Sequence, residues 1–264
     1  MRPPPTPSWL RDLSGAWIFY SVLPAAPWIE PRFARIARFA PWIGAVLGAL
    51  QALLWAGLEG RVPPLTQVAL VLVLALWLTG GLHMDGAMDT ADGLAAGERL
   101  LEAMEDSRVG ASGAQALAQL LLLRGAALAC LGPAAPLALV WAAVWGRVAP
   151  LLAMARFPYL RPGGTAAFHR RHWAGLVVEL RPTLLLLLGL TPATLALLPR
   201  AGPLAAPPAA LAIGLLAGLL PALAVPRWLG RRLGGHSGDS YGACVEWSES
   251  LALLVSALVL TLAG

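Results

Sequence analysis

The sequence predicts an all-α, polytopic integral membrane bundle of about seven transmembrane helices, with an interfacial helix before them. The first observation is composition: 58% of the 264 residues are hydrophobic and only 12% are charged. Soluble domains carry about 45–50% apolar and about 25% charged residues. Such a chain has too little charge to cover a water-soluble fold and too much apolar surface to stay disordered. An ordinary soluble enzyme and a disordered chain are both excluded.

The second observation is a series of apolar segments close to the length that a spanning helix requires, about 17–25 residues. The predicted spans are 42–58, 65–82, 112–131, 134–155, 182–198, 207–225 and 248–263. The earlier stretch 14–28 is too short and too interrupted to span. Its aromatic residues Trp17, Tyr20 and Trp28 predict a helix at the level of the lipid headgroups.

The third observation is the distribution of arginine, which supplies all 19 basic residues. Fifteen arginines lie in every second region between the predicted spans, and therefore on one side of the membrane. These regions are the N-terminal segment 1–41 and the loops 83–111, 156–181 and 227–247. By the positive-inside rule these regions are cytoplasmic, as is the N-terminus, and the C-terminus is outside. The alternation supports seven spans independently of hydropathy.

Net charge and cysteine content exclude other classes. The formal charge of +5 is spread without a dense basic tract, so no nucleic-acid partner is expected. Cys130 and Cys244 form neither a zinc pattern nor a disulfide framework. Arg124 and Arg147 lie within predicted spans, where a charge is costly and generally faces the protein interior.

Half of the fourteen acidic residues fall within residues 85–106. Asp85, Asp89 and Asp92 have the spacing i, i+4, i+7, which places them on one face of a helix. Three carboxylates this close repel one another unless a cation lies among them, and hard oxygen ligands suit Mg²⁺ or Mn²⁺. The alternative is a solvated acidic loop. The neighbouring Gly80 and Gly81, which permit close approach of a ligand, favour the metal site.

A second polar cluster, 234–249, carries Asp239 among several glycines just before the last predicted span. Loops of this composition can hold phosphate with backbone N–H groups. The alternative is a flexible turn between helices. The predicted orientation puts this cluster, the acidic segment and the glycine-rich loop 158–164 on the same face. Together they predict a site for metal-dependent transfer of a phosphate ester, with arginines binding the phosphate oxygens.

Two long motifs carry a family resemblance. The first comprises residues 80–86, 89–93 and 105–110, and the second is 234–243 with two glutamates after it. Both closely resemble the signatures of the adenosylcobinamide-GDP ribazoletransferase family, also called cobalamin synthases. The resemblance implies an Mg²⁺-dependent enzyme of the bacterial cytoplasmic (inner) membrane. Its substrates would be adenosylcobinamide-GDP and α-ribazole or its 5′-phosphate, and its products adenosylcobalamin or its 5′-phosphate and GMP. Membrane lipid and a second copy of the chain are the other expected partners.

The resemblance also suggests roles for individual residues. The expected metal ligands, for one ion or two, are Asp85, Asp89, Asp92 and Asp106. Asp239 is expected either to complete the metal shell or to act as the base for the attacking hydroxyl, and His83 to act as an acid/base group. The expected substrate-binding residues are Arg108, Arg147, Arg161, Arg171, Gly235 and Gly238.

Two other functions remain open at this stage. A membrane phosphotransferase of the CDP-alcohol type would use the same kind of metal site with a different acceptor. An ion transporter is less favoured, because transporters usually place their key charges near the bilayer midplane and often contain inverted repeats. Here the carboxylates lie at the cytoplasmic boundary and no internal repeat is visible.

Overall fold

The chain folds into a bundle of α-helices, shown by a computed structural model that describes residues 6–161, 163–164, 166–196, 210 and 212–263. The α-helices are α1 Ser8–Tyr20, α2 Ala40–Leu58, α3 Pro64–Thr79, α4 Leu82–Ala95, α5 Leu100–Ala103, α6 Ala111–Leu131, α7 Ala135–Arg156, α8 Ala167–Arg171, α9 Leu176–Ala196, α10 Ala217–Leu233 and α11 Gly238–Ala263. These ranges contain no strand, so the all-α class is confirmed.

The described residues contain five helical stretches long and apolar enough to cross a membrane, or six if α3 and α4 form one bent span. The predicted count of seven is therefore not confirmed. One of these stretches, Ala111–Arg156, has 46 residues, about twice the length that one span requires. It contains α6 and α7, which meet at the 3₁₀ turn Gly132–Ala134, where the sequence predicted the end of one span and the start of the next. Parts of the predicted spans 182–198 and 207–225 lie outside the described residues.

Two regions predicted as loops are mostly helical. The segment 83–111 contains α4 and the short α5, and 227–247 contains the end of α10 and the start of α11. Only residues 234–237 separate those last two helices. Hydropathy misplaced these boundaries because α4 and the first turns of α11 are helical although their sequences are polar.

Helix α7 occupies the centre and packs against α2, α10 and α11. Its contact with α2 depends on Gly44 and Gly48, which have the small-xxx-small spacing that lets membrane helices approach closely. A Cβ on Gly48 would lie 2.8 Å from the carbonyl oxygen of Leu139, and one on Gly44 would overlap that of Ala143. The two helices therefore touch backbone to backbone.

Two buried ion pairs tie α11 to the helices beside it. Arg124 of α6 lies 2.7 Å from Glu246, and Arg147 of α7 lies 3.0 Å from Glu249. Arg124 also donates to the hydroxyl of Ser250 at 2.8 Å. Both arginines thus face the protein interior, as the cost of an intramembrane charge predicted.

The N-terminal segment packs on the bundle through buried charge. Asp12 of α1 is fully buried and accepts hydrogen bonds from Arg32 at 2.5 and 2.8 Å and from Arg38 at 2.5 Å. The helix predicted within 14–28 exists but spans Ser8–Tyr20. Trp28 is 80% exposed, as expected of an interfacial residue, whereas Tyr20 is buried. Tyr20 therefore does not face lipid, because its ring stacks on His83 inside the bundle.

Candidate active site

The acidic motif lies on α4, which turns away from α3 by 90°. The turn uses Gly80 and Gly81, whose φ angles of 60° and 75° are left-handed and strained for other residues. The predicted helical spacing of Asp85, Asp89 and Asp92 is confirmed, since all three lie within Leu82–Ala95.

Helix α4 packs directly on the start of α11. A Cβ on Gly86 would lie 2.6 Å from the carbonyl oxygen of Asp239, and one on Gly242 would lie 2.9 Å from that of His83. These glycines therefore allow backbone contact between the two motifs predicted to form one site. The contact brings Asp239 near the α4 carboxylates, so the negative charges of Asp85 and Asp239 both act on Asp89.

The residues before Asp239 form a helix start. Ser237 Oγ accepts from the N–H of Ser240 at 3.2 Å, and Ser240 Oγ accepts from the N–H of Ser237 at 2.8 Å. This reciprocal pair has the arrangement of a capping box. Asp239 lies in the first turn of α11, where the positive end of the helix dipole favours a carboxylate.

The loop 157–161 is held against the same helix start. Leu160 donates to the carbonyl of His236 at 2.8 Å, and His236 donates from its backbone N–H to Pro158 at 2.9 Å. Gly235 is buried here, where a Cβ would lie 2.7 Å from the carbonyl oxygen of Pro158. Because Gly235 has no side chain, the backbone of residues 158–160 can pair with that of His236. Gly235 does not line the cavity.

Arg161 connects three parts of the site. Its guanidinium lies 3.1 Å from Asp239 Oδ2 and 3.5 Å from Glu105, and it donates to the carbonyl of Leu101 at 2.9 Å. The Arg161 side chain therefore holds α5 and the loop 157–161 beside the carboxylate of Asp239.

A cavity of about 780 Å³, measured with its open mouth, begins at these carboxylates. Asp85, Gly238 and Asp239 line it, and it reaches inward to Arg147 and His83. Within the described residues, Nδ1 of His83 and Nε of Arg147 are buried without a hydrogen-bond partner. The cavity therefore extends from the carboxylates to residues whose buried polar atoms have no partner among the described residues.

Two cavity residues, Tyr20 and His169, were not predicted as site residues. His169 lies on α8, and burial lowers the pKa of its imidazole to about 4. Neither residue belongs to a local pattern that indicates a binding site. His169 stands in an arginine-rich run that reads as a solvated loop, and Tyr20 reads as an interfacial aromatic residue.

Several predicted site residues lie apart from the cavity. Asp92 accepts from the backbone N–H groups of Gly110 and Gly113, both at 2.8 Å, and so caps the start of α6. Asp106 pairs with the exposed Arg108 at 2.6 Å, and this contact lowers the pKa of Asp106 to about 2. Arg171 is exposed on α8 and does not line the cavity.

The carboxylates at the mouth of the cavity supply the oxygen donors that Mg²⁺ prefers. Among the described residues, no group of three His, Cys, Asp or Glu side chains is close enough to hold a metal by itself. Mg²⁺ rarely needs such a group, because it is usually bound by one or two carboxylates, substrate phosphates and water. The carboxylates of Asp85 and Asp89, on one face of α4, fit that pattern, and Asp239 lies beside them. Asp92 and Asp106 are engaged elsewhere.

Comparison with known families decides what kind of protein carries this site. Residues 12–257 match the family described as cobalamin-5-phosphate synthase. The chain belongs to this family. The match extends from α1 into α11 and includes every element of the cavity. The resemblance predicted from the two sequence motifs is therefore confirmed.

Similar proteins named adenosylcobinamide-GDP ribazoletransferase align along nearly their whole length. One from Prochlorococcus marinus strain MIT 9303 is 58% identical over 262 residues, covering 97% of this chain and 98% of that protein. One from Thermosynechococcus vestitus is 44% identical, with 92% and 95% covered. One from a Synechocystis species is 41% identical, with 95% and 96% covered. No solved structure matches the chain significantly.

Proposed function

We propose that this membrane protein transfers adenosylcobinamide phosphate from adenosylcobinamide-GDP to α-ribazole or its 5′-phosphate, with release of GMP. Family membership and relatives named for this reaction across almost the full chain support the assignment. The observation that carries the chemistry is the meeting of α4 and α11. Their contact sets Asp85 and Asp239 at the mouth of a cavity.

In this reaction a ribose hydroxyl of the acceptor attacks the β-phosphorus, which carries the cobinamide. A new oxygen–phosphorus bond forms as the bond to the oxygen bridging the α-phosphate breaks, and GMP leaves with that oxygen. Asp239 is the candidate acceptor for the hydroxyl proton, since its carboxylate lines the mouth of the cavity. Catalysis of this kind depends mainly on positioning and electrostatic stabilisation.

Arg161 is the best-placed arginine for the diphosphate. It lies beside Asp239, and its Nε lies 3.5 Å from Glu105, a largely exposed carboxylate that a phosphate could displace. Arg147 is less suited to bind a phosphate, because Glu249 already neutralises its charge. Arg108 points into solvent and is paired with Asp106.

Mg²⁺ is the proposed cofactor, and Asp85 and Asp89 are the residues that would hold it, which leaves Asp239 to accept the proton. Bound there, the ion would neutralise charge on the diphosphate. The carboxylates of this chain would set its position, and Arg161 would keep Asp239 oriented. The exposed Arg108 and Arg171 have no part in this proposal.

The proposed location is the bacterial inner membrane, with the site and the N-terminus on the cytoplasmic side. This orientation follows from the positive-inside rule, because the arginine-rich segments surround the cavity end of the bundle. It also fits the chemistry, since the nucleotide product GMP would be released into the cytoplasm.

The test is GMP release by detergent-purified protein supplied with adenosylcobinamide-GDP, α-ribazole phosphate and Mg²⁺. GMP and the cobalamin product are expected in equal amounts, and excess EDTA should abolish both. Asp239→Asn should remove turnover, whereas Glu59→Gln, at an exposed position after α2, should keep it. If the wild-type protein forms neither product, the assignment is wrong, and CDP-alcohols would be the next donors to assay.

A further inference from the structure

The inner part of the cavity differs in chemistry from its mouth. Behind Asp85 and Asp239, the walls are formed largely by apolar and aromatic side chains, including Phe19, Tyr20 and Leu151. Tyr20 presents an aromatic ring that stacks on His83, with centroids 6.1 Å apart and planes 25° apart. A largely apolar space lined by aromatic side chains thus adjoins the polar rim.

This inner part holds no uncompensated charge that would attract a phosphate. The guanidinium of Arg147 is 3.0 Å from Glu249, which neutralises it. Burial lowers the pKa of His169 to about 4, so its imidazole is neutral at pH 7. Phosphate groups are expected at the rim, near Arg161, and an uncharged group is expected further inside.

His169 supplies an unsatisfied polar group at this depth. His169 is 6% exposed and lines the cavity, and its Nδ1 is enclosed without a hydrogen-bond partner among the described residues. Leaving a buried polar atom unpaired costs about 1–3 kcal/mol, so such atoms are rare unless water or a ligand completes them. Phe168 packs on the same ring at a centroid distance of 4.1 Å, which fixes its orientation.

We propose that the inner cavity binds the base of the ribazole acceptor, a neutral, planar heterocycle with one unsubstituted ring nitrogen, and that His169 hydrogen-bonds to that nitrogen. The inference rests on the proposed function and adds to it a residue that determines specificity for the base. With the base inside, the attached ribose lies at the rim. Its hydroxyl then faces Asp239, where the transfer takes place.

The experiment compares two acceptors, the α-ribosides of benzimidazole and of indole. The two bases have the same size and shape, but indole has a C–H in place of the unsubstituted nitrogen. The wild-type protein should prefer the benzimidazole riboside in kcat/KM by about three- to tenfold, the range for one neutral hydrogen bond. His169→Phe keeps an aromatic ring and removes the hydrogen bond, so the preference should fall to about one.

The ratio of the two acceptors in one preparation does not depend on how much protein is folded, so partial misfolding of His169→Phe leaves the test valid. The matched control is His172→Phe, three residues later on the exposed surface, which should retain the wild-type ratio. A second variant, Met154→Phe, places a larger side chain on the cavity wall and so narrows the cavity. It should raise KM for the bicyclic riboside more than for the riboside of the smaller imidazole.

Different failures have different meanings. If GMP is released but His169→Phe keeps the wild-type ratio, the base does not bind at His169 and the inference is overturned while the proposed function stands. If His169→Phe instead changes the preference between guanine and hypoxanthine in the donor, the cavity holds the nucleotide base and the inference is again overturned. Absence of GMP release from wild-type protein with every acceptor would overturn the proposed function and the inference together.

Discussion

At the scale of single residues, the three aspartates of α4 have different roles despite their regular spacing. Asp85 lines the cavity, whereas Asp92 faces the start of α6 and accepts two backbone hydrogen bonds there. A carboxylate that accepts hydrogen bonds at the start of a helix, near the positive end of the helix dipole, stabilises the fold. Asp89 lies between these two residues on α4 and is a proposed metal ligand.

Substitutions of Asp92 and Asp89 should therefore affect different properties. Asp92→Ala removes the cap of α6 and should lower the free energy of unfolding by about 0.5–2 kcal/mol, seen as a lower Tm. Asp89→Asn should abolish GMP release while Tm changes little, because the helix keeps its packing. Equal loss of activity without loss of stability in both variants would show that Asp92 is also a ligand.

The sequence predicted the helical placement of Asp85, Asp89 and Asp92 correctly because helical spacing depends only on neighbouring residues. It could not assign Asp92 to a cap, since Gly110 and Gly113 come 18 and 21 residues later. The same limit hid His169 and Tyr20. Both become cavity residues only when α8 and α1 pack against the bundle, which no local pattern records.

At the scale of helices, the site depends on how closely α4 approaches α11. The glycines at 86 and 242 stand where any side chain would meet the backbone of the other helix. From the sequence, the glycines of the cluster 234–249, which include Gly242, are interpreted as a phosphate-binding loop. The structure shows that Gly86 and Gly242 serve helix packing, which in turn sets the separation of Asp85 from Asp239.

Gly86→Ala tests this packing, since its added Cβ would lie 2.6 Å from the carbonyl oxygen of Asp239. The helices must move apart, so we expect turnover to fall at least tenfold, equivalent to about 1.4 kcal/mol of activation free energy. The control is Gly57→Ala in α2, where a Cβ has no neighbour within 4 Å. It should retain full activity and gain up to about 1 kcal/mol of stability. Full activity in Gly86→Ala would refute the close-packing role.

The helix boundaries show which part of the fold was accessible from sequence. Apolar length correctly located α2, α6, α7 and most of α11. It missed the polar starts of α4 and α11 because hydropathy reports lipid contact, while helix formation also follows from capping by Ser237 and from packing. The division between α6 and α7 at Gly132–Ala134, in contrast, matches the boundary predicted between the spans 112–131 and 134–155.

At the scale of the whole molecule, arginine distribution and site position lead to the same orientation. The loop 59–63 lies at the end of the bundle opposite the cavity, and residues 96–99 lie at the cavity end. Both contain exposed glutamates, Glu59 and Glu98. These positions provide a direct comparison of the two sides of the membrane.

Single cysteines at these positions should report the orientation. In intact cells carrying Cys130→Ser, a membrane-impermeant maleimide should label Glu59→Cys, but label Glu98→Cys only after permeabilisation. The remaining Cys244 is buried and should stay unlabelled in the parent protein. Labelling of Glu98→Cys in intact cells would place the site outside and contradict the proposed orientation.

The buried ion pairs also impose an order on assembly during synthesis. Arg124 and Arg147 are made 122 and 102 residues before the glutamates that neutralise them. Until α11 emerges from the ribosome, α6 and α7 each carry an arginine without its partner, which is costly in lipid. The insertion machinery must therefore shelter these two helices until α11 docks. The same event brings Asp239 to α4, so the protein gains its active site in the step that neutralises its core.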